Sequence, residues 1–187
     1  AYSIDMTDHG SAAASSLMTA LRTTYDASIA IGYSPLVSTS IYCGDYSKQQ
    51  LLWVMAGNYA VSQGEYTGAE LRQMMEWLVN VKDNGANPIR HRNYMPVTSG
   101  MEYKVTEYEQ GKFRLEELTV NGAPLDDTAT YTVFVAGTDV WIENEVYCSC
   151  PMPENLKTKR TEYAIEGADS RSCLKDSLAV SKQFPAP

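Results

Sequence analysis

"LTVNGAPLDDTATYTVFVAG", residues 118–137, is the stretch from which the rest of the chain can be read. Apolar and polar residues alternate on both sides of Asn121-Gly122, a pair suited to the positive backbone angles of a tight turn. Asp126-Asp127 follows and leads into Tyr131; short acidic side chains there bond their own backbone and mark the entry to a strand. The stretch therefore reads as two strands joined by a well-specified loop. These are signals of fold and not of chemistry.

Working outward, "PVTSGMEYKVTEYE" (96–109), a turn at Gln110-Gly111, "FRLEELTV" (113–120) and "TYTVFVAG" (130–137) read as successive strands whose natural arrangement is antiparallel. Further upstream, "TGAELRQMMEWLVNVKD" (67–83) is the strongest helix, since Thr67 can cap the amide of Glu70 while Glu70 reaches back to Thr67. Leu71, Met74, Met75, Leu78 and Val79 then share one face, and the Met pair reads as core filling. Ser47 and Gln50 repeat the capping spacing ahead of a short helix over 47–54. "ASIAIGYS" (27–34) reads as a buried strand, and "SAAASSLMTALRTTY" (11–25) as a helix burying Leu17, Met18 and Leu21. Downstream, 148–160 reads as a loop, "EYAIEG" (162–167) as a strand, and "DSRSCLKDSLAVSKQ" (169–183) as a helix capped by Asp169 or Ser170, before a "FPAP" tail. No repeat or low-complexity segment divides the chain, so the expectation is a single α+β domain over 1–187 with a mixed, mainly antiparallel sheet and helices packed on it.

Composition narrows the function. The chain has 187 residues, of which 44% are hydrophobic and 20% charged, enough for a core without staples. Against 15 basic residues stand 23 acidic ones, a formal charge of −8 that disfavours nucleic-acid polymers and anionic membranes as partners. No apolar run approaches the roughly 20 residues of a membrane span, and no signal-peptide pattern opens the chain. The abrupt start at Ala1-Tyr2-Ser3 suggests a fragment or a mature form. Tyr outnumbers Phe 13 to 3, favouring aromatic rings with one polar end.

The four cysteines are Cys43, Cys148, Cys150 and Cys173. A bridge from Cys148 or Cys150 to Cys173 would suit a secreted protein, and unpaired thiols are the alternative. Cys148-x-Cys150 is too closely spaced for an ordinary structural zinc site. Ser99, Cys148 or Cys150 as a catalytic nucleophile lacks a neighbouring base in the sequence. The histidines are His9 and His91 alone, too few for a two-metal hydrolytic site.

With the elements placed, "ELTVNGAPLDDTATYTV" resembles the end of the C-terminal domain of the bacterial 5'-nucleotidase family, whose members typically run "vtvnGkpldpdktYtva". In the same order, "TGAELRQMME" (67–76) is similar to the family's Thr-Gly-x-x-Leu helix start, "VTSGMEYKV" (97–105) to its Ser-Gly strand, and "GDYSKQQLLWV" (44–54) to its "Gdity.dll" segment. "ASIAIG" matches the strand before the substrate loop, and "GADSRSCLKDSL" the terminal helix. The resemblance implies a substrate-recognition domain whose partner, a metallophosphoesterase domain holding divalent metal ions, lies upstream and is absent from this chain. It also implies nucleotide catabolism, and a secreted or cell-surface location.

Three segments of the family domain grip the nucleotide, and each departs from pattern here. In place of the Gly-Gly-Gly-Ile-Arg loop stands "SPLVS" (34–38), with Ser38 at the position of the Arg. In place of Pro-Phe-Gly-Asn stands "MAGN" (55–58), which keeps Gly57 and Asn58 but puts Ala56 where the stacking ring belongs. The last, a Phe before Gly-Gly-Asp-Gly-Tyr, is replaced in "AGTDVWIENEVY" (136–147) by Thr138 and by Glu143-Asn144. Each lost ring removes roughly 1–3 kcal/mol and the lost Arg a further roughly 1.5–3 kcal/mol, so AMP or UMP is expected to bind at millimolar strength or weaker. Candidate ligand contacts are Ser38, Asn58, Trp141, Arg90 and Arg92, for a nucleoside, nucleotide or nucleotide sugar. Tyr33, Tyr42 or Trp53 are further stacking candidates. The plainer reading places Trp53 and Trp141 in the core and Arg90-His91-Arg92 in a solvated turn. No residue is assigned a catalytic or metal-binding role, and no cofactor is expected in this chain.

Overall fold

The computed structural model describes residues 12–33, 47, 49–50, 53, 57–80, 96–109, 112–137 and 152–181. Its elements are α1 (Ala12–Thr24), β1 (Ile29–Tyr33), β2 (Ala60–Thr67), α2 (Gly68–Leu78), β3 (Pro96–Ser99), β4 (Met101–Glu109), β5 (Lys112–Val120), β6 (Ala123–Pro124), β7 (Thr130–Ala136), α3 (Glu154–Glu162), β8 (Ala164–Asp169) and α4 (Ser170–Ser181). They form the expected α+β fold around a five-stranded sheet, order β3-β1-β7-β2-β8, with a second sheet of order β4-β5-β6. The larger sheet is mixed: β1 and β7 are parallel, and the other pairs are antiparallel. In β1 the consecutive residues Ile29, Ala30 and Ile31, and in β7 Val133 to Ala136, are all buried. Both faces of these central strands are covered, which explains their near-continuous apolar sequence.

The opening stretch carries the chain from one sheet to the other. Asn121 (φ 51) and Gly122 (φ 78) make the tight turn that the pair specifies, returning β6 along β5. Beyond it, β7 leaves β5 and inserts between β1 and β2, so the two halves of the stretch are not a hairpin. The acidic turn between them closes the start of α2. Gly68 N–H donates to the Ala129 carbonyl and Ala69 N–H to the Asp127 carbonyl, both at 3.0 Å, while Glu70 N–H donates to Thr67 Oγ1 at 3.2 Å. Asp126 Oδ1 holds the turn by accepting from Thr128 N and Thr128 Oγ1, which keeps its carboxyl below the usual range. Gly68 is required because a Cβ there would overlap the Asp126 carbonyl oxygen. Two motifs far apart in sequence are thus one packed unit.

Other expectations meet the structure unevenly. The Thr67–Glu70 and Ser47–Gln50 capping contacts form, and Leu17, Met18 and Leu21 are buried on α1. The second helix ends at Leu78, short of the expected 83, because the Asn80 amide turns across to β5. There it donates to the Phe113 carbonyl and accepts from Phe113 N–H, each at 2.9 Å. The strand expected over 96–109 is two strands, split at Gly100 (φ +80), where the chain changes sheet. Residues 154–160, expected within a loop, form α3 together with Thr161 and with Glu162, which was expected to open the next strand; its surface is polar on nearly every side and only Leu156 is buried. β8 begins at Ala164, later than expected, because α3 occupies the preceding residues. The cap of α4 is Asp169, whose Oδ1 accepts from Ser172 N at 2.7 Å. β2 itself was not anticipated, although it pairs with both β7 and β8.

Candidate ligand-binding rim

Because β1 and β7 run parallel, with Ile31 opposite Val135, their carboxyl ends emerge side by side. β2 begins at the same end, with Val61 opposite Ala136 and Gly137 N–H donating to the Ala60 carbonyl at 3.2 Å. β3 also begins there, with Pro96 opposite Tyr33, and β8 finishes there, with Asp169 opposite Ala60. Ligands of open α/β sheets gather outside the carboxyl ends of parallel strands, so this rim is the candidate site.

One segment of the rim is described in detail. Ser170, fully buried at the start of α4, accepts from Tyr59 N–H at 3.1 Å and donates to the Gly57 carbonyl at 3.3 Å. Its own N–H donates to the Tyr59 carbonyl at 2.8 Å. Asn58 lies between these two pinned residues and is exposed, a fixed backbone position presenting a polar side chain to solvent. Gly57 keeps this turn close to the Tyr59 ring, which a Cβ would meet at 3.2 Å.

Of the residues singled out by sequence, Asn58 therefore stands on the rim. Ser38, Arg90, Arg92 and Trp141 lie outside the described residues, as do Tyr42, Ala56, His91, Thr138, Glu143 and Asn144. One described end of each of their segments, Tyr33, Pro96 or Gly137, sits at the rim, whereas the other described end of the segment holding Arg90 and Arg92 is Asn80, bonded to Phe113 of β5. Trp53 is 62% exposed, which corrects its reading as a core residue: a single aromatic ring left in solvent is an ordinary feature of a protein surface. Sequence reading missed Ser170 as the pin of the rim. Asp169 does the capping, and the signal left over was a serine that the cap did not need.

Chemistry elsewhere is structural. Lys159 of α3 donates to Glu70 Oε2 at 2.7 Å and to the Glu65 carbonyl at 3.2 Å, and lies 5.4 Å from the centre of the Tyr66 ring. Burial would raise the Glu70 carboxyl, but bonds from Lys159 and the Thr67 amide outweigh it and hold the group below its ordinary value. Burial, with Tyr163 and Glu70 nearby, pushes Tyr66 up to about 12. Cys173 is free and fully buried beside Tyr25, its thiol pushed up chiefly by burial, which corresponds to the unpaired-thiol alternative for this residue; Cys43, Cys148 and Cys150 lie outside the described residues. Ser99 Oγ lies 3.0 Å from Thr19 Oγ1 and neither histidine is among the described residues, so no base is seen to activate it. Among the described residues no three His, Cys, Asp or Glu side chains gather to hold a metal ion. No described helix is long and apolar enough to cross a membrane.

Fold and rim together define an α+β domain in which ends of β1, β2, β3, β7 and β8 gather at one end of a mixed sheet. Residues 5–138 match the family model described as "5'-nucleotidase, C-terminal domain", and the chain belongs to that family. Solved structures agree on the fold. The 5'-nucleotidase precursor of Thermus thermophilus superposes with a TM-score of 0.66 at 18% identity, covering 97% of this chain and 35% of that one. The NAD nucleotidase NadN of Haemophilus influenzae gives 0.64 at 13%, covering 97% and 35%. The sulfate thiohydrolase SoxB of Thermus thermophilus gives 0.59 at 14%, covering 92% and 32%. The chain thus spans about a third of the length of the structures it resembles. No curated protein matches it in sequence.

Proposed function

We propose that the 187 residues are one substrate-recognition domain of a 5'-nucleotidase-like hydrolase of nucleotide catabolism, whose metal-dependent phosphoesterase domain lies upstream in the parent protein. The observation that carries this reading is the rim: the described ends of the three segments corresponding to the family's nucleotide grip meet at one end of the sheet, with Asn58 still in place. Any divalent metal ions belong to the upstream domain. Within this chain, Asn58 with Ser38, Trp141, Arg90 and Arg92 form the proposed contact set for a nucleoside, nucleotide or nucleotide sugar. Ser38 for Arg and Ala56 for Phe weaken the anion clamp and one side of the base sandwich, so the domain keeps the scaffold and grips AMP or UMP poorly. Secretion or a cell-surface location follows from the family resemblance and belongs to the same proposal.

A second reading, a non-catalytic binding or structural module of a bacterial surface protein, is favoured by those same replacements. The structural relatives support taking both seriously: one fold accompanies proteins named as a 5'-nucleotidase, an NAD nucleotidase and a sulfate thiohydrolase, so rim loops and not the scaffold decide the ligand. A thermal-shift screen of nucleosides, nucleotides and nucleotide sugars tests the choice, because a ligand bound only by the folded chain raises its melting temperature. A shift with one class, lost on Asn58→Ala, supports recognition; no shift across the panel at millimolar ligand supports the module.

A further inference from the structure

We propose a second ligand site, independent of the rim, in the cleft between α1 and the β3–β4 corner, for a neutral polyhydroxylated molecule of monosaccharide size. The cleft measures about 400 Å³ and is walled by Ser15 and Thr19 of α1, the segment Thr98–Glu102, and the Asn121-Gly122 turn. Ser99 pairs with Ala30, near the start of β1, whereas the rim lies beyond Tyr33 at its other end. The two sites are therefore at opposite ends of the sheet.

The cleft is built by backbone constraints. Gly100 turns the chain out of the large sheet at φ +80, where a Cβ would overlap the Ser28 carbonyl oxygen. Asn121 N–H donates to the Gly100 carbonyl at 3.3 Å, which ties the Asn-Gly turn to the corner. Behind them the inner wall is internally satisfied: Thr19 Oγ1 donates to the Ser15 carbonyl at 2.9 Å and meets Ser99 Oγ at 3.0 Å, and Thr98 Oγ1 donates to the Met101 carbonyl at 2.6 Å.

Three lining side chains remain without a partner among the described residues: the Ser15 hydroxyl, the Asn121 amide and the Glu102 carboxylate. A hydroxyl and an amide both donate and accept, and a carboxylate accepts two bonds, the complement of a sugar's vicinal hydroxyls. Among the described residues no cation lines the cavity. Arg22 stands behind Gly100, with Nη1 3.1 Å from where a Cβ at residue 100 would be, and is not part of the lining. With Glu102 in the wall and a chain charge of −8, phosphates and carboxylates are disfavoured. The volume lies within the range of small-molecule sites, roughly 300–1,000 Å³.

Backbone amide NMR of the 187-residue chain, titrated separately with glucose, N-acetylglucosamine and glucose 6-phosphate, tests the site. The expected result is saturable shifts at Thr98–Glu102 and Asn121-Gly122 with a neutral sugar, and binding about tenfold weaker for the phosphate. Glu102→Gln, an exposed isosteric change, should weaken the sugar about tenfold while leaving the melting temperature unchanged. Ser15→Ala should weaken it by a smaller factor. Absence of saturable shifts with both neutral sugars, shifts confined to Gly57–Ala60, equal binding of the phosphate, or indifference to Glu102→Gln would each overturn the proposal. Because its readout is at the far end of the sheet, its failure leaves the rim reading untouched.

Discussion

The two ends of β2 are built differently. At the Thr67 end the amides that open α2 are all engaged, and ion pairs brace them: the cap between Thr67 and Glu70, the Asp127 and Ala129 carbonyls on the helix amides, Arg72 on Asp127 at 2.8 Å, and Lys159 on Glu70 at 2.7 Å. At the Ala60 end the strand is held by the buried Ser170, through both its hydroxyl and its amide, and by Gly137 N–H on the Ala60 carbonyl, and beside it stands an exposed Asn58. A helix amino terminus can attract an anion only while its amides are unpaired, and at α2 they are not. The locked end specifies the fold, and the proposed ligand contacts begin at the end with an uncommitted polar side chain.

Substitutions at the two ends should separate stability from recognition. The largest effect is expected of Gly68→Ala, whose Cβ would overlap backbone of Asp126 and Asp127: about 3 kcal/mol lost in urea denaturation. A loss below about 1 kcal/mol would show that the junction yields and does not lock. Next is Glu70→Ala, which removes half of the capping box and leaves Lys159 without its carboxylate, at about 2 kcal/mol. The Glu70 carboxyl is held below its ordinary 4.5 in the folded chain, so its contribution is complete above that value and fades as pH falls through the folded one. Glu70→Gln should accordingly cost stability at neutral pH and progressively less as the pH falls below 4.5; a penalty that does not change with pH would mean the charge is not what matters. The smallest effect is expected at the rim, where Ser170→Ala should cost about 1–2 kcal/mol and speed hydrogen exchange of the Tyr59 amide ahead of the amides of α2.

What the sequence disclosed follows the same division. Signals that act within a few residues were legible: the Thr67–Glu70 box, the Asn121-Gly122 turn, the apolar face of α1 and the apolar run of β7. Pairings between distant segments were not. β7 looks like the partner of β5 because it follows it, yet it satisfies more apolar surface between β1 and β2. β2 was hidden by Gln63-Gly64, which break its alternation; the space above Gly64 is filled by the Tyr163 ring, supplied from another element and so invisible locally. α3 lacked the apolar stripe by which a helix announces itself, and it is held instead by Leu156 and Lys159. At the rim, Asn58 was identifiable through the family pattern, whereas Ser170 required knowing what lies beside Gly57. Ser38, Arg90, Arg92 and Trp141 rest on the sequence pattern alone.

The central claim is that the domain retains the nucleotidase scaffold while its nucleotide grip has been replaced. Calorimetric titration of the 187-residue chain with AMP tests it most directly. Millimolar or weaker binding is expected if, as proposed from the family pattern, two stacking rings and a guanidinium are replaced at once. Micromolar binding of AMP would contradict it, and would mean that residues such as Trp141 and Arg90 have rebuilt the grip from the replaced loops.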